Sequence, residues 1–213
     1  LVRLIGLVHA VARRSAYLAL LDEQPVALKR LTAVFAASAL LAERVIAHPL
    51  LLDELFDDRS EGPPPDRDEV EAEIQRRLGA MHDQDLEREI EMIQEQRLAA
   101  QFRIGLAFLG NRVDAEQTAR ALAAVAEAIL ASVLRIAERD LIAAHGTIDE
   151  RPGDGTGMIV CGYGSLGGIE LGFGSDLDLV FVYDGSHAAL ESNGAKPLDG
   201  ARYYARLAQR FVH

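Results

Sequence analysis

The sequence predicts an α+β fold, in which a mostly helical N-terminal part leads into a domain with a small sheet. Two observations support this fold class. Ala- and Leu-rich segments with helical periodicity fill the chain up to residue 146, and no strand pattern is found there. Beyond Gly157, short apolar runs bounded by glycines replace that periodicity, which is typical of strands.

The first helices are predicted over residues 1–22, 25–37, 39–47 and 50–56. Pro25 and Pro49 suit the first turns of two of them. The stretch DDRSEGPPPD at 57–66 then interrupts the pattern as a linker, because a glycine followed by three prolines cannot lie inside a helix. We therefore predict a helical connector over residues 1–62.

A strongly charged helical region follows and is predicted from residue 67 to about 109. Leu86, Ile90 and Ile93 are spaced by four and three and mark one apolar stripe, while the charges form a solvated face. Gly110 followed by Asn111 is a helix stop. These features predict a second domain over residues 63–112.

The third predicted domain spans residues 113–213 and begins with a long helix. Asp114 and Gln117 have the spacing of a capping box, and Gly146 ends the helix. Its predicted buried stripe consists of Leu122, Val125, Ile129, Val133 and Ile136. Two buried strands are predicted next, at 158–161 and 177–183, and a final helix begins near Asp199.

The bulk composition limits the possible functions. A formal net charge of -11 argues against a nucleic-acid-binding surface, although carboxylates that hold a metal can still bind a nucleotide. The only cysteine, Cys161, excludes an intrachain disulfide and fits a reducing cytoplasm. No run reaches the ~18 apolar residues of a membrane span. Because the sequence begins with Leu1 and stops inside a predicted helix, we expect it to be a piece of a larger protein.

The most informative residues are two carboxylates, Asp176 and Asp178, at the start of an apolar strand. Their spacing places both side chains on one face of that strand. Adjacent carboxylates repel each other unless a cation neutralises them, and Mg²⁺ is the natural partner for carboxylate oxygens. Two carboxylates can also bridge two metals in phosphoryl chemistry.

The glycines upstream of this pair complete the predicted site. Gly167 and Gly168 allow the backbone to approach a phosphate closely, and its N–H groups can bind phosphate oxygens. Asp-x-Asp and Gly-Gly are each common when they occur alone. Their conjunction between two apolar strands is much more specific and predicts a site for a metal-bound triphosphate.

Residues 162–184 resemble the nucleotidyltransferase signature of the glutamine synthetase adenylyltransferase family, within the DNA polymerase beta-like superfamily. The shared pattern is Gly-x-Leu-Gly-Gly-x-Glu-Leu-Gly-x-Gly-Ser-Asp-Leu-Asp-Leu-Val-Phe. The tail at 203–213 and the leader segments at 14–21 and 47–55 are also similar to that family. The resemblance implies a polymerase-beta-like nucleotidyltransferase domain, incomplete at its C-terminus, within residues 113–213.

The resemblance implies that Asp176 and Asp178 hold Mg²⁺ and ATP, and that Gly167, Gly168 and Ser175 contact phosphates. The implied acceptor is a tyrosine hydroxyl of glutamine synthetase, with pyrophosphate as the leaving group and nitrogen assimilation as the regulated process. Family members resemble two nucleotidyltransferase domains joined by helices, one removing and one adding AMP. The helical lead-in favours the adding domain.

Two departures from the family pattern affect the expected activity. Ser165 stands where the family usually has lysine, so one cation near the phosphates is lost. The third carboxylate of the superfamily would lie beyond His213, so the isolated chain is expected to be nearly inactive. Two alternatives remain: phosphorolytic removal of AMP by the same Asp pair, or a catalytically silent helical module that binds the PII signal protein or glutamine synthetase.

Overall fold

A computed structural model describes residues 5–7, 9, 15–82, 85–148 and 157–212. Helices dominate these residues, and their only sheet has two antiparallel strands, which confirms the predicted α+β class. The chain forms two compact units, Leu1–Val125 and Ala126–His213. The division into 1–62, 63–112 and 113–213 remains a prediction.

The first unit opens with short helices that follow the predicted boundaries closely. They are α1 (Ser15–Glu23), α2 (Pro25–Ala37), α3 (Ala39–Ala47) and α4 (Asp53–Phe56), with 3-10 helices at Pro49–Leu52 and Asp58–Glu61. Ser38 separates α2 from α3 because its side chain accepts a hydrogen bond from the Leu41 N–H at 3.2 Å. Of the helix predicted over 1–22, residues 1–4, 8 and 10–14 lie outside the described residues.

The segment predicted as a linker at 57–66 packs against the helices around it. Ser60 is only 5% exposed, and the Arg112 side chain donates a hydrogen bond to the Gly62 carbonyl at 2.7 Å. The prolines do exclude α-helix, as expected, but Asp58–Glu61 still forms a 3-10 turn. The same core contains residues from the connector and from the charged region, including Leu31, Val34, Leu52, Leu55 and Phe102.

The charged region consists of two helices, α5 (Arg67–Ala80) and α6 (Leu86–Leu109), rather than one continuous run. The predicted apolar stripe was wrong at Leu86 and Ile90, which are 43% and 40% exposed, whereas Ile93 is buried. The buried face of α6 runs instead through Glu89, Ile93, Gln96 and Ala100. Because the buried face contains two polar residues, hydrophobic periodicity alone indicated the wrong face of the helix.

A 31-residue helix, α7 (Ala115–His145), leads into the second unit. Its capping box is confirmed, since the Gln117 N–H donates to Asp114 Oδ1 at 2.8 Å and the Asp114 N–H donates to Gln117 Oε1 at 2.9 Å. The predicted stripe is also confirmed: Leu122, Val125, Ile129 and Ile136 are buried, and Val133 is half-buried.

The second unit combines the end of α7 with strands β1 (Met158–Tyr163) and β2 (Asp178–Tyr183), the short helix α8 (Gly164–Gly167) and α9 (Gly200–Val212). A 3-10 helix at Gly185–Ala189 follows β2. The core lies between the sheet and the helices and contains Leu141, Met158, Tyr203, Tyr204, Leu207 and Phe211. No helix among the described residues is both long and apolar enough to cross a membrane.

The prediction that both strands are buried was wrong. Val160, Leu179 and Phe181 face the core, but Ile159 is 64% exposed and Val182 is 48% exposed. A sheet covered on one face only leaves alternate side chains in solvent. Continuous apolar runs therefore mark strands here without implying burial on both sides.

Candidate functional site

The predicted carboxylates lie at one end of the two-stranded sheet. Asp178 is the first residue of β2 and pairs with Tyr163, the last residue of β1. The prediction that Asp176 also lies in this strand was wrong, since it lies two residues earlier, in the loop that leads into β2. Both side chains are exposed. Alternation along β2 places Asp178 on the open face of the sheet, together with the exposed residues Val180 and Val182.

Gly164 directly follows β1 and begins α8 at this end of the sheet. Its φ of 55° lies in the left-handed region, and a Cβ added there would overlap the Oδ2 atom of Asp178. The carboxylate therefore rests directly against the backbone of the turn between β1 and α8. Sequence reasoning selected Gly167 and Gly168 and missed Gly164, although its position directly after an apolar strand was visible in the sequence.

Gly167 and Gly168 have packing roles in the turn after β1. A Cβ on Gly167 would lie 2.6 Å from the Gly162 carbonyl oxygen, so α8 packs on β1 only with glycine at this position. The Gly168 N–H donates to the Gly164 carbonyl at 2.9 Å. That amide is already paired within the chain, and the predicted phosphate contacts of the two glycines remain predictions.

Ile169 follows the two glycines in an unusual backbone conformation. Its φ is 57°, and the turn closes with hydrogen bonds from the Ile169 N–H to the Leu166 carbonyl and from the Glu170 N–H to the Ser165 carbonyl, at 3.2 and 2.8 Å. This pair of bonds is a Schellman motif, in which the left-handed position usually holds glycine. A β-branched residue there costs about 1–3 kcal/mol of conformational strain.

Ser175 organises the loop immediately before Asp176. Its Oγ accepts a hydrogen bond from the Gly172 N–H at 2.9 Å, and its own N–H donates to the Gly172 carbonyl at 3.2 Å. These bonds close a four-residue turn over 172–175 that leads into the Asp-x-Asp segment. Contact of Ser175 with a phosphate remains a prediction.

The donor set at this site fits a magnesium ion that arrives with a nucleotide. Asp176 and Asp178 supply hard carboxylate oxygens, and no group of three or more potential metal-ligating side chains occurs among the described residues. Mg²⁺ is commonly bound by one or two carboxylates together with substrate phosphates and water. The two exposed carboxylates match that partial coordination, whereas a permanently bound structural metal would require more protein ligands.

A cluster of aromatic side chains supports the sheet from its covered face. The rings of Tyr183 and Tyr204 stack with their centroids 4.4 Å apart, and the rings of Phe181 and Phe211 pack edge-to-face with their centroids 5.4 Å apart. His187 Nδ1 lies 2.9 Å from the Tyr204 hydroxyl. Because β2 is anchored through its covered face, the position of Asp178 at the start of that strand is fixed by the core.

The core tyrosine Tyr203 leads us to expect a loss of stability at alkaline pH. Burial, the neighbouring Tyr204 and Glu138 raise the pKa of Tyr203 to about 12. Between pH ~10 and ~12 the unfolded chain releases this proton while the folded chain keeps it, so the free energy of unfolding falls, by at most about 1.4 kcal/mol per pH unit. Urea unfolding from pH 8 to 12 tests this. Tyr203→Phe should show a shallower fall, and an identical fall would contradict the assignment.

The first strand, the glycine turn and the Asp-x-Asp segment thus meet at one end of the sheet, in the order by which the sequence resembles nucleotidyltransferases. The family described as glutamate-ammonia ligase adenylyltransferase matches residues 28–213. The chain belongs to this family of adenylyltransferases.

Individual relatives agree with this assignment over the whole chain. Three proteins named bifunctional glutamine synthetase adenylyltransferase/adenylyl-removing enzyme share 51%, 52% and 43% identity with it, from Xanthomonas axonopodis pv. citri, Stenotrophomonas maltophilia and Pseudomonas putida. Each match covers 99% of this chain and 22% of the relative. The chain therefore spans about a fifth of the length of these curated relatives.

Proposed function

We propose that this chain contributes a site that transfers AMP from ATP to a tyrosine hydroxyl of glutamine synthetase and releases pyrophosphate. The observation that carries the proposal is the contact of Asp178 with the Gly164 turn, at the open end of a sheet in the second unit. The relatives' name supplies the acceptor enzyme. We propose further that the reaction takes place in the cytoplasm and regulates nitrogen assimilation.

In this reaction the tyrosine oxygen bonds to the α-phosphorus while the bond to the β-phosphate breaks. The electron pair leaves with pyrophosphate, and the tyrosine proton passes to solvent. Asp176 and Asp178 would hold Mg²⁺, which neutralises the charge that develops on the phosphates. Gly167, Gly168 and Ser175 would orient the triphosphate, so that catalysis consists mainly of positioning and charge neutralisation.

The isolated chain is expected to be a weak catalyst. The proposed site uses two carboxylates, Asp176 and Asp178, and polymerase-beta-like enzymes use a third. Ser165 also replaces the lysine that the family usually has. We therefore expect strong activity only when these 213 residues are part of the full-length natural polypeptide. If the 213 residues alone transferred AMP at a rate comparable to that of the full-length polypeptide, this expectation would be contradicted.

The reverse reaction is the second candidate, because the relatives are also named adenylyl-removing enzymes. There, inorganic phosphate would attack the α-phosphorus of AMP-tyrosine, giving ADP and the free hydroxyl at the same Asp pair. The helical lead-in favours addition. A third candidate is a silent interaction module: the described residues of the first unit are helical with their own core, and the PII signal protein is its proposed partner.

One assay with two arms separates these candidates in the longest polypeptide that carries the sequence. In the first arm, unmodified glutamine synthetase receives α-labelled ATP and Mg²⁺. In the second arm, pre-adenylylated synthetase receives phosphate. Because relatives are bifunctional, each arm is repeated with Asp176→Asn plus Asp178→Asn. Loss of tyrosine labelling in the double variant supports addition here, loss of ADP release supports removal, and loss of neither supports the interaction module.

A further inference from the structure

Ile169 is an exception among the left-handed residues of this chain. In the described ranges, the other residues with positive φ are Gly146, Gly157, Gly164 and Asn111. Glycine has no Cβ penalty in this region, and asparagine tolerates it better than most residues. Among the residues that the structure describes, Ile169 alone combines a left-handed backbone with a β-branched side chain.

A second turn in the chain shows the ordinary solution to the same geometry. At the end of α6, the Asn111 N–H donates to the Phe108 carbonyl at 3.0 Å and the Arg112 N–H donates to the Ala107 carbonyl at 2.9 Å. This is the same Schellman motif as at Ile169, with asparagine in the left-handed position. Isoleucine is therefore not required to form the turn.

Core packing does not account for Ile169 either. The side chain is 47% exposed, so burial recovers only part of the conformational cost. Strained residues that the fold itself does not need concentrate at functional sites. Ile169 follows Gly164 by five residues, at the end of the short helix α8 that begins with Gly164, and the Gly164 backbone contacts Asp178.

The aliphatic side chain of Ile169 limits the kinds of ligand that it can contact. An aliphatic side chain can neither donate a hydrogen bond to a phosphate nor ligate a metal, so it does not serve the triphosphate. Two other exposed apolar residues adjoin the Asp pair: Tyr163, 59% exposed, pairs with Asp178 across the sheet, and Leu177, 37% exposed, lies between Asp176 and Asp178 in the sequence. Apolar side chains around a polar reaction centre suit contact with a protein surface.

We propose that Ile169 is a positioning residue for the protein acceptor: its left-handed backbone presents an aliphatic side chain that packs on glutamine synthetase beside the modified tyrosine. This inference rests on the proposed function and adds to it a residue that selects the acceptor rather than the nucleotide. The conformational strain at Ile169 then persists because the side chain is needed for this contact.

Two substitutions separate the strain from the contact. Ile169→Gly relieves the strain and removes the side chain, whereas Ile169→Leu keeps an aliphatic side chain of equal size. Asn111→Gly is the matched control, because it changes the same motif in the other unit. The readouts are the thermal unfolding midpoint of the 213-residue chain, and the equilibrium affinities of the longest polypeptide that carries it for immobilised glutamine synthetase and for Mn²⁺-ATP.

We expect Ile169→Gly to raise the unfolding midpoint by about 2–6 °C. The same variant should weaken binding to glutamine synthetase roughly ten-fold, with Mn²⁺-ATP affinity unchanged. Ile169→Leu and Asn111→Gly should bind the synthetase as the parent does. Unchanged synthetase binding by Ile169→Gly overturns the inference, as does a lowered midpoint, because Ile169 would then serve the fold. Failure of the parent polypeptide to bind the synthetase at all overturns the proposed function together with the inference.

Discussion

Replacing Asp178 with asparagine should lower the rate of AMP transfer to glutamine synthetase by about a hundred- to a thousand-fold. Asparagine has the same shape but removes the negative charge that would hold the metal, and metal neutralisation supplies several kcal/mol in phosphoryl chemistry. Asp178 is exposed at the start of β2, so the fold should be unaffected. The rate is measured with α-labelled ATP in the longest polypeptide that carries this sequence.

Asp184 provides the matched control for this substitution. It lies at the other end of the same strand and is also exposed, and its Oδ1 accepts a hydrogen bond from the Ser186 N–H at 2.8 Å. Asp184→Asn keeps an acceptor there and removes the same charge, so AMP transfer should stay within about two-fold of the parent. Equal losses in both variants would show that general surface charge, rather than a site at Asp178, is responsible.

Replacing Gly164 with alanine should damage both the fold and the site. The left-handed backbone disfavours any Cβ, and here the Cβ would also overlap the Asp178 carboxylate. We expect the free energy of unfolding to fall by about 1–3 kcal/mol, as measured by urea denaturation. Because Asp178 has to move to make room, Mn²⁺-ATP binding should weaken in parallel.

Gly174→Ala is the internal control for this effect. Gly174 lies in the same glycine-rich segment, but its φ is not in the left-handed region and an added Cβ would meet no atom within 4 Å. Its stability and metal–nucleotide binding should match those of the parent. If Gly164→Ala behaves as Gly174→Ala does, the close approach of Asp178 to the turn is not a feature of the protein in solution.

The helices of the first unit and the long helix α7 could be predicted because their ends are encoded locally. Pro25 starts α2, Ser38 caps α3, and Asp114 with Gln117 closes the box that begins α7. Each signal depends only on residues within one turn of the helix end. Such signals can be read from the sequence because they do not depend on what the helix packs against.

Burial could not be predicted with the same success, because it depends on partners far away in the sequence. The buried face of α6 contains Glu89 and Gln96, so apolar spacing pointed instead to Leu86 and Ile90, which are exposed. In the sheet, the apolar residue Val182 is 48% exposed, since the described elements pack against one face of the sheet. Periodicity identifies the type of an element but does not show which of its faces other elements cover.

The candidate site was predictable as a segment but not in its internal geometry. Asp176 and Asp178 stood out by spacing alone, and Asp178 does open the second strand. The contact of Gly164 with Asp178 requires the register between β1 and β2, in which Tyr163 pairs with Asp178. The left-handed backbone conformation of Ile169 could not be predicted either, because β-branched residues disfavour that conformation.

We propose that Asp176 and Asp178 together hold a metal-bound nucleotide. The most direct test titrates the 213-residue chain with Mn²⁺, a paramagnetic substitute for Mg²⁺, with and without ATP, and measures bound Mn²⁺ by electron paramagnetic resonance. We expect Mn²⁺ binding that strengthens when ATP is present and that disappears in the Asp176→Asn plus Asp178→Asn variant, while Asp184→Asn binds as the parent does. ATP-dependent Mn²⁺ binding that survives in the double variant would contradict the claim.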